Sequence, residues 1–140
     1  SAMPQPAGPC ARSTCSPGTP SGGAAGGSER VATTPDPPYL AVVFTNHRTD
    51  HDDAGYAAAA ARMEELATRV EGFLGIVSAR ADDGTGITVS YWTDEAAVET
   101  WRAHPEHLDI QARGRAHWYE WYELRVARVE RARAWRRPLT

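Results

Sequence analysis

Apolar positions along the chain fall into four short runs and two amphipathic stretches after residue 38, and are sparse before it. The run Tyr39 to His47, YLAVVFTNH, is β-branched and aromatic and closes on polar turn residues. It predicts a buried first strand, with Asn46 and His47 near its end on opposite faces. From Tyr56 to Glu71, Tyr56, Ala60, Met63, Leu66, Ala67 and Val70 recur at helical spacing, behind Asp50, Asp52 and Asp53. That spacing predicts an amphipathic helix with acidic residues at the end where its dipole favours them, and Gly72 as its C-terminal cap. Phe73–Ala81 and Gly86–Trp92 read as two strands of a hairpin around Asp82-Asp83-Gly84-Thr85, whose Asp-Gly pair supplies a positive φ.

Thr93-Asp94-Glu95 opens a second helix that carries Ala97, Val98 and Trp101 inward, and Pro105 breaks and restarts it toward Trp118. The last strand is expected from Tyr122 to about Arg131, with a start open between 117 and 123. Strand, helix, hairpin, broken helix and strand make a ferredoxin-like βαββαβ domain of the α+β class, with an antiparallel sheet and its helices on one side. The bare sheet face of so small a domain calls for a partner, and a homodimer is the natural one.

Composition changes this picture at the ends. Residues 4–38 hold eight of the ten prolines and half of the glycines, which predicts a disordered tail over 1–38 before a domain over 39–131 and a C-terminal extension over 132–140. Cys10 and Cys15 both lie in that tail and are read as incidental reduced thiols. All 15 basic residues are Arg, which excludes lysine Schiff-base chemistry and a P-loop lysine. A net charge of -3 argues against nucleic acid as a partner, although residues 113–137 carry eight Arg against three Glu. Neither a membrane-spanning run nor a signal-peptide pattern is visible, so the expectation is a cytoplasmic protein without membrane attachment.

The residues from 39 to 131 resemble the antibiotic biosynthesis monooxygenase family of dimeric α+β barrels, which includes haem-degrading monooxygenases. The resemblance rests on Asn46 in the first strand, on GFLGI at 72–76, on GITVSYWTDEAAVETWRAHPEHLDIQARGR at 86–115, and on RVARVER at 125–131. It implies two sheets from two chains packed into a barrel, with a pocket in each chain between its sheet and its helices. Asn46, Trp92, Trp101 and the segment His104–Gln111 would border that pocket. Haem-degrading members place an Asn late in the first strand, a Trp in the second helical region and an iron-ligating His beyond it. Asn46 and Trp101 match the first two, but Gln111 stands where that His is expected, and a Gln is a poor iron ligand.

The function this implies is oxidation of an aromatic or polyketide-like small molecule without cofactor, and the alternatives are a haem-binding or haem-degrading enzyme and a non-catalytic small-ligand module. Expected roles are His107 as general base, Asn46 as donor to a developing oxyanion, and Trp101 as a stacking wall. Trp92, His104, Gln111 and Trp118 are expected to line the substrate. Each has a plainer reading: His104 as the cap of the helix at Pro105, Asn46 as a turn cap, the tryptophans as core. No metal site is expected, since His51-Asp52-Asp53 is explained by the helix dipole.

Overall fold

The computed structural model describes residues 34–139. The expected tail up to residue 33, with Cys10 and Cys15, lies outside the described residues. Strand β1 (Tyr39–Arg48), helix α1 (Asp53–Ala67), strands β2 (Phe73–Arg80) and β3 (Thr85–Trp92), helices α2 (Glu95–Arg102) and α3 (Pro105–Arg113), a π-helical turn over Gly114–Trp118 and strand β4 (Tyr119–Val129) follow in that order. The strands lie in the order β2-β3-β1-β4, every neighbouring pair antiparallel. This is the ferredoxin-like βαββαβ arrangement the pattern predicts. The most apolar strand, β1, takes a central place, as burial on both faces requires.

Local chemistry moves several boundaries. Helix α1 begins three residues before Tyr56 because Asp52, at φ 58, turns its carboxylate onto the Gly55 amide 3.1 Å away. It ends at Ala67 rather than Glu71, where the Thr68 amide returns to the Glu64 carbonyl. Gly72 then serves a close approach: at φ 99 its carbonyl accepts from Thr93 N at 2.8 Å, and a Cβ there would lie 2.6 Å from both Ala97 Cβ and Thr93 Oγ1. The break between α2 and α3 falls where expected. Asp94 caps the first through Ala97 N at 2.9 Å, and His104 Nδ1 caps the second through Glu106 N at 3.1 Å.

The last strand starts at Tyr119, within the 117–123 interval left open, and ends at Val129, two residues short of Arg131. The π turn before it is the reason. Its Trp118 carbonyl accepts from Thr49 N (2.9 Å) and Arg48 Nη1 (3.1 Å), and its His117 carbonyl from Thr49 Oγ1 (2.7 Å), so the chain is already fastened to the end of β1 and enters the sheet at the next residue. Beyond it, residues 130–139 are exposed and without regular structure.

Four rows of side chains face the helices across β2, β3, β1 and β4: Arg80–Gly86–Asn46–Tyr122, Ser78–Thr88–Phe44–Leu124, Ile76–Ser90–Val42–Val126 and Phe73–Trp92–Leu40–Arg128. Leu40, Val42 and Phe44 join Tyr56, Ala59, Met63 and Leu66 of α1, and Val98, Trp101 and Ile110 of α2 and α3, in one core. Among the described residues no helix covers the opposite sheet face, and Val77, Ile87 and Trp121 stand on it between 37% and 48% exposed.

Candidate active site

The sheet floor beneath the helices is not uniformly apolar. Asn46, Thr88 and Ser90 occupy three successive rows and are each 0% exposed. Buried polar groups are almost always hydrogen-bonded, since leaving one unmatched costs about 1 to 3 kcal/mol. Ser90 Oγ accepts from Trp92 Nε1 at 2.9 Å. Asn46 Nδ2 reaches only the Gly86 carbonyl, at 3.5 Å, and Asn46 Oδ1 and Thr88 Oγ1 have no hydrogen-bond partner among the described residues. Three small polar residues thus make a stripe that folding alone does not call for.

Above one end of the stripe three rings lie nearly parallel. Trp101 of α2 stacks on Trp92 of β3, with ring centres 6.2 Å apart, and on His107 of α3 at 4.5 Å. The helix break at Pro105 makes this possible, because α3 restarts with His107 turned back over Trp101. Both His107 and Trp101 are shielded from solvent, and the Trp101 Nε1 has no partner among the described residues. Gln111, one turn beyond His107, is also buried on the inward face. An aromatic wall with a few inward polar groups is what a pocket for a flat small molecule requires.

The other end of the stripe is cationic. Arg80, across Gly86 in the row of Asn46, and Arg48, two residues beyond Asn46 on β1, are each 6% exposed. Arg80 donates to the Gly84 carbonyl (2.7 Å) and the Tyr56 hydroxyl (2.8 Å), while Arg48 lies 4.0 Å over the Tyr56 ring and pairs with Asp53. Burial pushes the Tyr56 and Tyr119 hydroxyls above the ordinary phenol range, so both stay neutral beside the guanidinium groups.

Of the residues singled out from the sequence, Trp92, Trp101, His107 and Gln111 come together at the aromatic end. Asn46 does not sit beside them: its row is six residues from that of Trp92, about 20 Å at about 3.3 Å per residue, and the Thr88–Ser90 stripe spans the interval. His104 spends its Nδ1 on the α3 cap, and its ring is tilted against Trp101 with the ring centres 6.0 Å apart. Trp118 is buried at the cationic end, edge-on to Tyr56 and donating to Asp52. That hydrogen bond, before the one from Gly55, holds the Asp52 carboxyl below its ordinary range. His47 points to the other face, against Glu120 and Trp121. Among the described residues no group of three or more His, Cys, Asp or Glu is placed to hold a metal, and no helix is long and apolar enough to cross a membrane.

Sequence reading missed Thr88, Ser90, Arg48 and Arg80. For the first two the signal was present: counting back by twos from Trp92 places both on the helix-facing side of β3. For the arginines it was not, because an Arg at a strand end is ordinarily solvated.

The family described as "Antibiotic biosynthesis monooxygenase" matches residues 38–113. An uncharacterized protein of Bacillus subtilis, YqjZ, is 48% identical over 103 residues, which cover 74% of this chain and 90% of that protein. Among solved structures, a variant of SnoaB, a cofactor-independent oxygenase from Streptomyces nogalater, aligns with a TM-score of 0.56 at 21% identity over 64% of this chain and 90% of that one. Protein SO0527 of Shewanella oneidensis aligns at 0.60 and 13% identity over 68% and 94%. The structural likenesses carry the fold, the sequence matches carry the kinship, and the chain belongs to the antibiotic biosynthesis monooxygenase family.

Proposed function

We propose that this domain is a small-molecule monooxygenase that oxidises an electron-rich aromatic or polyketide-like substrate with no bound metal or flavin. The observation that carries the reading is the fully buried stripe Asn46–Thr88–Ser90 running from the Trp92–Trp101–His107 stack, with hydrogen-bonding capacity that the described residues leave unused. In such a reaction an acidic CH2 of the substrate loses a proton to a base, and the resulting carbanion reduces dioxygen. The two radicals combine into a peroxide, and loss of water leaves a carbonyl: CH2 and O2 become C=O and H2O. His107 is the base, Trp101 the wall against which the ring system stacks, and the Asn46 amide, at the far end of the stripe, a donor to an oxygen of an extended substrate remote from the carbon that is oxidised. Trp92 and Gln111 line the substrate. That SnoaB, of the same fold, is a cofactor-independent oxygenase supports the reading.

The residues fit haem poorly. Gln111 is a weak iron donor, His104 Nδ1 is committed to a helix cap, and the His107 ring is packed flat on Trp101. A haemin titration of the pure protein is expected to give no saturating Soret shift. For the partner, the apolar residues of the helix-free sheet face support a homodimer closed face to face into a barrel.

The test is oxygen uptake by the purified protein with an anthrone. Turnover above the spontaneous rate, falling about 100-fold or more in His107→Ala and less in Asn46→Ala, is expected. Turnover unchanged by both substitutions would remove these residues from the chemistry.

A further inference from the structure

Arg48 fastens the π turn through the Trp118 carbonyl and pairs with Asp53, but its neighbour Arg80 is needed neither for that contact nor by the reading above. The guanidinium of Arg80 lies flat over Gly86: a Cβ on that glycine would be 2.7 Å from Arg80 Cζ and Nη1 and 2.8 Å from Nη2. Any other residue at position 86 would displace it, so a glycine and a buried arginine are matched here. Gly86 is also the residue opposite Asn46, and its carbonyl is the one the Asn46 amide approaches. The guanidinium and the amide therefore border the same spot on the floor. Of the five N–H donors of Arg80, one meets the Gly84 carbonyl and one the Tyr56 hydroxyl, and Nε has no partner among the described residues.

Charge makes the same point. Among the described residues no carboxylate is ion-paired to Arg80, and the one acid at the cluster, Asp53, is bound to Arg48 and lies mostly in solvent. The neighbours supplied by α1 and β4 are the hydroxyls of Tyr56 and Tyr119, both kept neutral by burial. Two guanidinium groups at 6% exposure are thus balanced by one acid. Burying an uncompensated charge is among the most costly things a fold can do, and a neutral side chain would fill the space without that cost.

The geometry points to a buried anion-binding subsite at the Asn46 end of the stripe, where Arg80, backed by Arg48, holds the oxyanion of a small aromatic ligand, a phenolate or carboxylate, beside the Asn46 amide. It rests on the stripe being a ligand site. It adds the class of ligand, one that is acidic or carries an acid, and a positioning residue for it.

The probe is 4-nitrophenol, whose phenolate is distinguished from the phenol by its absorbance. Bound to the full-length protein, it is expected to ionise about 1 to 3 units below its free value, as an opposite charge within a few ångströms dictates. In Arg80→Gln, shown to be folded by circular dichroism, the preference for the phenolate should fall at least about tenfold. Binding with no downward shift, no binding at millimolar concentration, or a shift that survives in folded Arg80→Gln would each overturn the subsite. Should that variant not fold, competition on the unaltered protein decides: benzoate displaces nitrophenolate at least about tenfold better than benzamide, and equal displacement overturns the proposal. A phenolate shift without oxygen uptake from an anthrone would leave the subsite standing and remove the monooxygenase reading.

Discussion

Thr88→Val separates a residue kept for a ligand from one kept for the fold. Valine matches threonine in shape and in preference for strand, so the exchange replaces one hydroxyl by a methyl group and little else. The Thr88 side chain is 0% exposed and its Oγ1 has no hydrogen-bond partner among the described residues. Its desolvation is therefore uncompensated, at a cost of about 1 to 3 kcal/mol that the methyl group removes. The variant is expected to be more stable by about that amount, raising the thermal midpoint by about 4 to 8 °C for each kcal/mol in a domain of this size. Urea unfolding at fixed protein concentration measures it, with the denaturant slope unchanged so that the shift in midpoint reports stability. Turnover of an anthrone should fall in the same variant, the pattern of a site residue retained against the interest of the fold. A loss of about 1 kcal/mol would refute the reasoning, because the hydroxyl would then be making a structural bond.

Trp101→Ala removes the middle ring of the stack from a fully buried position and should cost about 3 to 5 kcal/mol in urea unfolding; a loss under about 1 kcal/mol would mean the rings are not packed as described. Asp52→Asn tests the α1 cap: because the Asp52 carboxyl is held below its ordinary range, its contribution is present above about pH 4, where the unfolded carboxyl is charged. The stability gap between variant and parent should be full at neutral pH and close as pH falls through the lowered folded value; a constant gap would contradict the assignment. Ile87→Arg, on the helix-free sheet face, should convert a dimer to a monomer by light scattering, and an unchanged mass would place the partner elsewhere.

The sequence carried the element order because period-two and helical spacings are strong in this chain and the Asp-Gly, Gly72 and Pro105 breaks fall between them. It left the start of β4 open between 117 and 123, since Trp118, Tyr119, Trp121 and Tyr122 suit a strand and a helix equally, and the Thr49 and Arg48 hydrogen bonds to the π turn fix it at Tyr119. The aromatic half of the candidate site was legible in part: helical spacing turned Trp101 inward, and the family resemblance set Trp92 and His107 beside it. Its polar half was harder. Thr88 and Ser90 look like ordinary strand residues until register shows them lined up with Asn46, and Arg80 is expected in solvent unless Gly86 is known to lie beneath it. The distance between the rows of Asn46 and Trp92 is likewise a property of register, which no local pattern encodes.

The most direct test of the account is labelled oxygen with an anthrone, using protein stripped of flavin and treated with a chelator. One atom of 18O should enter the quinone for each O2 consumed, the other leaving as water, at a rate that falls about 100-fold or more in His107→Ala. Oxygen consumption no faster than the spontaneous reaction, or a rate restored only by adding flavin or metal, would contradict it.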